Sequence, residues 1–227
     1  PTIQGAINAS SNGDVINIAA GTYNEYNLNP GGKAITIQGT LNGDGSLATT
    51  IDAQQVDTVF DLRLNEGNDT VIKDLVITGG DGDGEDGGGI YCLQSSPTIT
   101  NCTIKGNTAS YGGGIYCYDN SNPTISGCTI KDNTANGNGG GIYSERSSNP
   151  TLDQCVISNN MANEGGGIYF VDSTPTITGC TISGNASTTY GGGIYCVLNA
   201  STITDCTISD NTADFGGGGI YCYNSSP

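Results

Sequence analysis

The chain has 227 residues, with 22 Asp and Glu against 6 Lys and Arg, no His, and a net charge of -16. That balance argues against nucleic acid and anionic membrane surfaces as partners. No apolar run is long enough to span a bilayer, which argues against membrane insertion, and the length suits one elongated domain.

Ile3, Ala6 and Ile7 recur at helical spacing, so the chain is expected to open on a short amphipathic helix. Residues 13–26 then alternate like a strand and end in a turn. This opening resembles the N-terminal cap of pectate-lyase-like right-handed β-helices, and the resemblance implies a helix that plugs the first coil of a stack. An uncapped stack end leaves strand edges and core open, so an atypical terminal unit is expected. Looser coils follow at Ala34–Ile37, Thr50–Asp52, Val59–Leu62 and Val71–Ile77. Residues 1–80 are therefore read as a cap with irregular coils.

The acidic loop Asp81-Gly-Asp83-Gly-Glu85-Asp86 comes next. Alternate carboxylates in a Gly-rich loop converge on a hard cation, so Ca²⁺ is the expected cofactor and Asp81, Asp83, Glu85 and Asp86 are its candidate ligands. The loop lacks the closing Glu of an EF-hand, and a solvated acidic turn is the competing reading.

Residues 81–227 are built on a repeat. Gly-Ile-Tyr, preceded by a further Gly, places isoleucines at 90, 115, 142, 168, 194 and 220, about 26 residues apart. Such a period marks a solenoid whose units share one core. A second half recurs as PTITNCTIKGNTA at 97–109, with copies starting at 123, 150, 175 and 201. Apolar residues alternate in Ile90-Tyr91-Cys92 and Cys102-Thr103-Ile104, which is a strand pattern, and no repeat has room for a helix. The three-residue step from Ile99 to Cys102 breaks the alternation. A corner is expected there, at Asn101, Gly127, Gln154, Gly179 or Asp205, mostly types that tolerate left-handed backbone. The fold class is thus all-β: a right-handed parallel β-helix with about 26 residues and three short strands per coil.

Stacking turns repeats into columns. Inward columns hold Ile99, Ile125, Leu152, Ile177 and Ile203; Cys102, Cys128, Cys155, Cys180 and Cys206; and Ile104, Ile130, Ile157, Ile182 and Ile208. Asn107, Asn133, Asn160, Asn185 and Asn211 form a ladder suited to hydrogen bonds along the axis. Nine Cys exceed what a cytosolic domain of this size carries, which suits an extracellular or cell-surface location. Without His or a CxxC they are not a metal framework. Buried free thiols are one reading; bridged pairs Cys92–Cys117, Cys102–Cys128, Cys180–Cys206 and Cys196–Cys222 are the other.

Three outward features carry candidate functions. Tyr91, Tyr116, Tyr143, Tyr169, Tyr195 and Tyr221 alternate with inward residues and are expected to face solvent. Beside them Gly89, Gly114, Gly141, Gly167, Gly193 and Gly219 are expected to leave a shallow trough. Aromatic rings along a trough suit sugar stacking or a protein partner; a ladder that only stabilises the sheet is the alternative. Thr-x-Thr arrays such as Thr98/Thr100 and Thr124/Ser126 resemble the ice-binding face of β-solenoid antifreeze proteins, although Asp153 and Val156 interrupt them. For an enzyme, Lys73, Lys105 or Lys131 would serve as the base of a Ca²⁺-dependent polysaccharide lyase. Asp119 and Asp172 flank Arg146 in one column and read as a surface salt-bridge row. The repeats around them are nearly uniform, and no nucleophile–base pair is visible.

GGGIY followed by Ile104-Lys-Gly-Asn107 or Ile130-Lys-Asp-Asn133 resembles the paired GGA(I/L/V) and FxxN motifs of polymorphic outer-membrane proteins. The resemblance covers residues 88–222, with Gly for Ala and Ile for Phe, and implies a surface-exposed β-helical passenger domain, several of which are adhesins. The chain is therefore read as part of a longer secreted or cell-surface protein with a structural, adhesive or carbohydrate-binding role. Its expected partners are a polysaccharide or cell-surface glycan, or copies of itself joined end to end in fibres. A pectate-lyase-like enzyme is the alternative, and ice binding a third.

Overall fold

The computed structural model describes residues 2–82, 84, 87–198 and 201–226. Among these, the strands stack into four parallel sheets, two of eight strands, one of seven and one of six. One eight-stranded sheet runs from Val15–Asn17 through Thr98–Thr100 to Thr202–Thr204, and the other from Gly21–Tyr23 through Thr103–Lys105 to Thr207–Ser209. The Ile-Tyr strands form the seven-stranded sheet, which begins at Phe60–Leu62 and ends at Ile220–Tyr223.

Register follows the repeat. Ile99 pairs with Ile125, Ile104 with Ile130 and Tyr116 with Tyr143. The coils before residue 80 feed the same sheets: Ile37 pairs with Ile72, and Ile72 with Ile99. A small antiparallel excursion, bridged at Leu41 and Leu47, interrupts them.

Each regular coil from Thr98 on has four strands, where the alternation predicts three. The fourth is the two-residue Thr108–Ala109 and its copies Thr134–Ala135, Met161–Ala162, Ala186–Ser187 and Thr212–Ala213. Two residues are too few to display a period. The corner expected before each Cys is present. Asn101, Gly127, Gln154, Gly179 and Asp205 have φ of 51, 58, 51, 63 and 54°. A second corner precedes each Asn, at Gly106, Asp132, Asn159, Gly184 and Asp210, with φ between 55 and 66°. These left-handed residues turn the chain so that Ile99, Cys102 and Ile104 all reach one core, where they are fully or almost fully buried. Each such Ile contributes about 1.5–3 kcal/mol relative to exposure.

Polar groups inside the stack are paired along its axis. The Asn133 backbone N–H and Nδ2 both donate to Asn160 Oδ1 at 3.0 Å, and Asn160 repeats this onto Asn185 at 3.0 and 2.9 Å. A serine column not evident from the repeat does similar work: the amides of Ser95 and Ser121 donate to Ser121 Oγ and Ser148 Oγ, both at 3.1 Å. Glu66, 1 % exposed, ends that column. It accepts from Ser95 Oγ at 2.8 Å and from the Gly32 and Leu64 amides at 2.9 Å.

The cysteines stack with their side chains in one direction, and none of the four pairs considered above is bridged in this structure. Instead the Cys102 amide donates to Cys128 Sγ and the Cys155 amide to Cys180 Sγ, each at 3.4 Å. A hydrogen bond with Cys128, together with burial, pushes the Cys155 thiol up to about 12, so it holds its proton and stays unreactive.

At the N-terminal end α1 spans Ile3–Ala9 and buries Ile3 and Ile7, as the helical spacing predicts. Glu25 accepts from the Ile3 and Gln4 amides at 2.7 and 3.1 Å, satisfying donors the first turn leaves open. Lys33 Nζ donates to the carbonyls of Ile7 and Asn8 at 2.7 and 3.1 Å at the other end.

Candidate functional site

The tyrosine column lies on the outer face of the seven-stranded sheet, because the residues on either side of Tyr91, Tyr116, Tyr143, Tyr169 and Tyr195 (an Ile before, and Cys, Ser144 or Phe170 after) are buried on its inner face. It is not the solvent-facing row that the alternation predicts. Tyr91, Tyr116, Tyr143, Tyr169 and Tyr195 are only 5 to 8 % exposed, and Tyr221 is half-buried. Two causes combine. Rung spacing sets successive ring centroids 4.9 to 5.3 Å apart, so each ring covers the next. In addition, the chain entering each Gly triplet crosses the base of the following Tyr. A Cβ at Gly112, where φ is +59°, would lie 2.8 Å from Tyr116 Cβ.

The expected glycine trough is closed as well. A Cβ on Gly114 would meet Gly141 O at 2.5 Å, Ile130 Cγ2 at 3.0 Å and Asn133 Nδ2 at 3.1 Å. The glycines are there because neighbouring backbones and the Asn ladder approach too closely for any side chain. They are buried at 89, 114, 141, 167 and 193.

What remains open is a cavity at the N-terminal half of the column, about 330 Å³ in volume. Tyr91, Tyr116 and Tyr143 form its floor, with Tyr111 and Tyr118 at the sides and Arg63, Glu145 and Arg146 around them. Tyr116 is central, with ring centroids 5.3 Å from Tyr91, 5.0 Å from Tyr143, 5.7 Å from Tyr118 and 6.4 Å from Tyr111.

Glu145 was not a candidate in the sequence reading. It stands beside Ser144, which pairs with Cys117 and Phe170 across the rungs. In the other copies the residue two after the Tyr is Leu93, Tyr118, Val171, Val197 or Tyr223. A lone carboxylate in a column of apolar side chains was the available signal. Its Oε1 accepts from the Tyr116 hydroxyl at 2.6 Å and its Oε2 from Tyr143 at 3.2 Å. Burial first, then the bond to Glu145, pushes the Tyr116 phenol far above its ordinary value; burial and the Glu145 charge do the same to Tyr143. On the opposite flank, burial pushes the Glu164 carboxyl up, against a bond from Tyr169 that lowers it.

Both arginines of the chain sit here. The Arg63 guanidinium lies 4.5 Å from the Tyr91 ring centre and pairs with Asp61. That of Arg146 lies 4.8 Å from the Tyr118 ring centre. Among the described residues no ion pair joins Arg146 to Asp119 or Asp172, so the expected salt-bridge row is replaced by a cation–aromatic contact. Asp119 accepts instead from the side chains of Gln94 and Asn120, at 2.7 and 2.9 Å.

The other candidates lie elsewhere. Asp81 pairs through its strand with Thr108 and accepts from that hydroxyl at 3.3 Å. Asp83, Glu85 and Asp86, its partners in the expected Ca²⁺ site, lie outside the described residues. Among the described residues no three His, Cys, Asp or Glu side chains group as metal ligands. Lys73, paired with Asp74 at 3.6 Å, and Lys105 and Lys131 belong to the two eight-stranded sheets, away from the cavity. The Thr arrays are in register, Thr98 with Thr124 and Thr151, and Val156 interrupts the neighbouring sheet. No helix among the described residues is long and apolar enough to cross a membrane.

A family model described as "Right handed beta helix region" matches residues 50–163 and 89–227. Among solved structures, a pectin methylesterase from Aspergillus niger in deglycosylated form is similar at 15 % identity and a TM-score of 0.59, over 99 % of this chain and 81 % of that one. A mannuronic acid specific polysaccharide family 6 lyase from human gut microbiota matches at 13 % identity and a TM-score of 0.36, over 92 % and 65 %. No curated protein matches the chain in sequence.

Proposed function

The chain belongs to the right handed beta helix family, and from that premise we propose that it is a polysaccharide-binding module of a secreted or cell-surface protein. The observation that carries the reading is the cavity around Tyr116. It combines aromatic rings, phenol hydroxyls, a carboxylate and two guanidinium groups in one concave place. Protein sites for sugars need that mixture: rings meet the apolar faces of a pyranose, and planar polar groups meet its hydroxyls. A similar fold in a pectin methylesterase supports a scaffold compatible with this use and says nothing about the residues.

The buried part of the column holds the site in shape, and the exposed part makes contact. Tyr111, 36 % exposed, and Tyr118 at the cavity walls are therefore the contact residues to alter, rather than Tyr143 or Tyr169. The test is a glycan array read with the intact chain and with Tyr111→Ala/Tyr118→Ala, alongside a thermal melt. Retention of a glycan by the chain, lost by about tenfold or more in a variant that melts normally, supports the reading. Retention unchanged in the variant would rule this cavity out.

A further inference from the structure

We propose that the cavity around Tyr116 takes an uncharged sugar residue, rather than a uronate or a sulfated sugar. The proposal rests on the polysaccharide-binding reading and narrows it.

Charge is the first argument. With 22 acidic and 6 basic residues, the chain repels polyanions over most of its surface. A site for an acidic sugar would need an unbalanced cationic cluster to offset that repulsion. Both arginines are at the cavity, but they do not supply one. Asp61 pairs with Arg63, and Glu145 stands beside Arg146. Two cations and two anions leave no net charge, and Asp119, next to Tyr118 in the chain, adds acid rather than base.

Hydrogen-bonding capacity is the second. Each Glu145 oxygen already takes one phenol hydrogen and keeps a lone pair for another donor. The Tyr116 and Tyr143 oxygens, having donated, are left as acceptors. Acceptors therefore gather at Glu145 and the two phenols bound to it, and the guanidinium groups and the other phenols of the lining supply donors. A sugar hydroxyl both donates and accepts, so it meets both sets. A carboxylate or sulfate only accepts, and it would face Glu145 with nothing to exchange.

Size is the third. About 330 Å³ is at the lower end of small-molecule pockets, roughly 300–1,000 Å³. It suits one or two sugar rings, while Tyr111 at the wall is exposed enough to offer its ring.

The experiment is affinity electrophoresis of the intact chain through neutral glycans (β-glucan, galactomannan, arabinoxylan) and acidic ones (polygalacturonate, alginate). It is run at low and high salt, about 20 and 500 mM, either side of physiological screening. Retention is expected on at least one neutral glycan, with less than about a twofold change between salts. It is expected to fall by about tenfold or more in Arg146→Gln and in Tyr111→Ala, both checked for a normal melt. Retention confined to acidic glycans, or equal on both classes, overturns the proposal and leaves polysaccharide binding standing. No retention on any glycan overturns both. Neutral-glycan retention undiminished in both variants overturns the assignment to this cavity.

Discussion

The Tyr116 hydroxyl donates to Glu145 across a coil boundary at 2.6 Å, and Tyr143 donates to the same carboxylate from within Glu145's own coil at 3.2 Å. One carboxylate thus ties two rungs of the tyrosine column at the cavity floor, and both phenols resist ionisation because their anions would be buried beside it.

Alkaline stability follows from that resistance. A tyrosine is neutral when protonated, and here the folded chain holds the proton above the ordinary value of about 10. Burial pushes Tyr195 up to about 12 and Tyr116, Tyr143 and Tyr169 further. The stabilisation is complete below pH ~10 and declines as pH rises through the folded-state values. The melting temperature is expected to be flat to about pH 10 and to fall above it, before the buried column itself ionises in the folded chain. In Glu145→Gln the tyrosinate absorbance of the column should rise at lower pH, since a bond and a charge that favour the neutral phenol are gone. Identical titration curves for the two proteins would contradict this.

Asn160→Ala removes four contacts inside the stack. The Asn133 amide and Nδ2 lose an acceptor, and Ile130 O and Asn185 Oδ1 lose a donor. Asn133 Nδ2 keeps its bond to Ile104 O and Asn185 Oδ1 keeps the Asn160 amide, so the Asn133 amide is the group most exposed to the loss, and an orphaned buried group costs about 1–3 kcal/mol. A loss of about 3 kcal/mol in urea unfolding is expected. A loss under about 1 kcal/mol would mean that water replaces the ladder.

Two glycine substitutions separate collision from backbone strain. In Gly141→Ala the new Cβ would sit 2.5 Å from Gly167 O and 3.0 Å from Asn160 Nδ2, and overpacking of this kind costs about 3 kcal/mol. In Gly127→Ala nothing lies within 4 Å, but φ is +58°, so only the left-handed penalty of about 1 kcal/mol applies. Chemical denaturation of the two variants should rank them in that order.

The cap depends on a carboxylate brought from another segment. Glu25→Ala leaves the Ile3 and Gln4 amides without their acceptor and is expected to cost about 1.5–2 kcal/mol. Hydrogen exchange should quicken in Ile3–Ala9 and in Val15–Asn17, and stay unchanged in the coils from residue 98 on. Uniform acceleration along the chain would show instead that the cap sets global stability.

Much of the scaffold could be read from local spacing. The alternation in Ile90-Tyr91-Cys92 names the inward face, the step from Ile99 to Cys102 announces a corner, and the fixed place of Asn107 and its copies announces a ladder. The site was less legible, for physical reasons. Alternation assigns a side chain to a face but does not say what covers that face. The tyrosines are covered by segments whose length varies between copies, where a repeat carries least information. Gly114 and Gly141 look like open space in a sequence, whereas in the stack they mark contact with the next coil's backbone. Glu145 becomes conspicuous only when the copies are aligned on their tyrosines, which sets it in one column with Tyr118 and Val171, but the alignment alone does not bring it to the hydroxyls of Tyr116 and Tyr143.

Because each residue's ladder partners sit one coil above and below, this molecule counts in coils. Excising residues 165–190 would join Glu164 to Gly191, set Ile194 against Ile142 and seat Asn211 where Asn185 had been. The cavity, built from groups between Arg63 and Arg146, would not be touched. Reach and recognition are therefore independent: the number of stacked coils sets how far the rod extends, and four of them set what it holds.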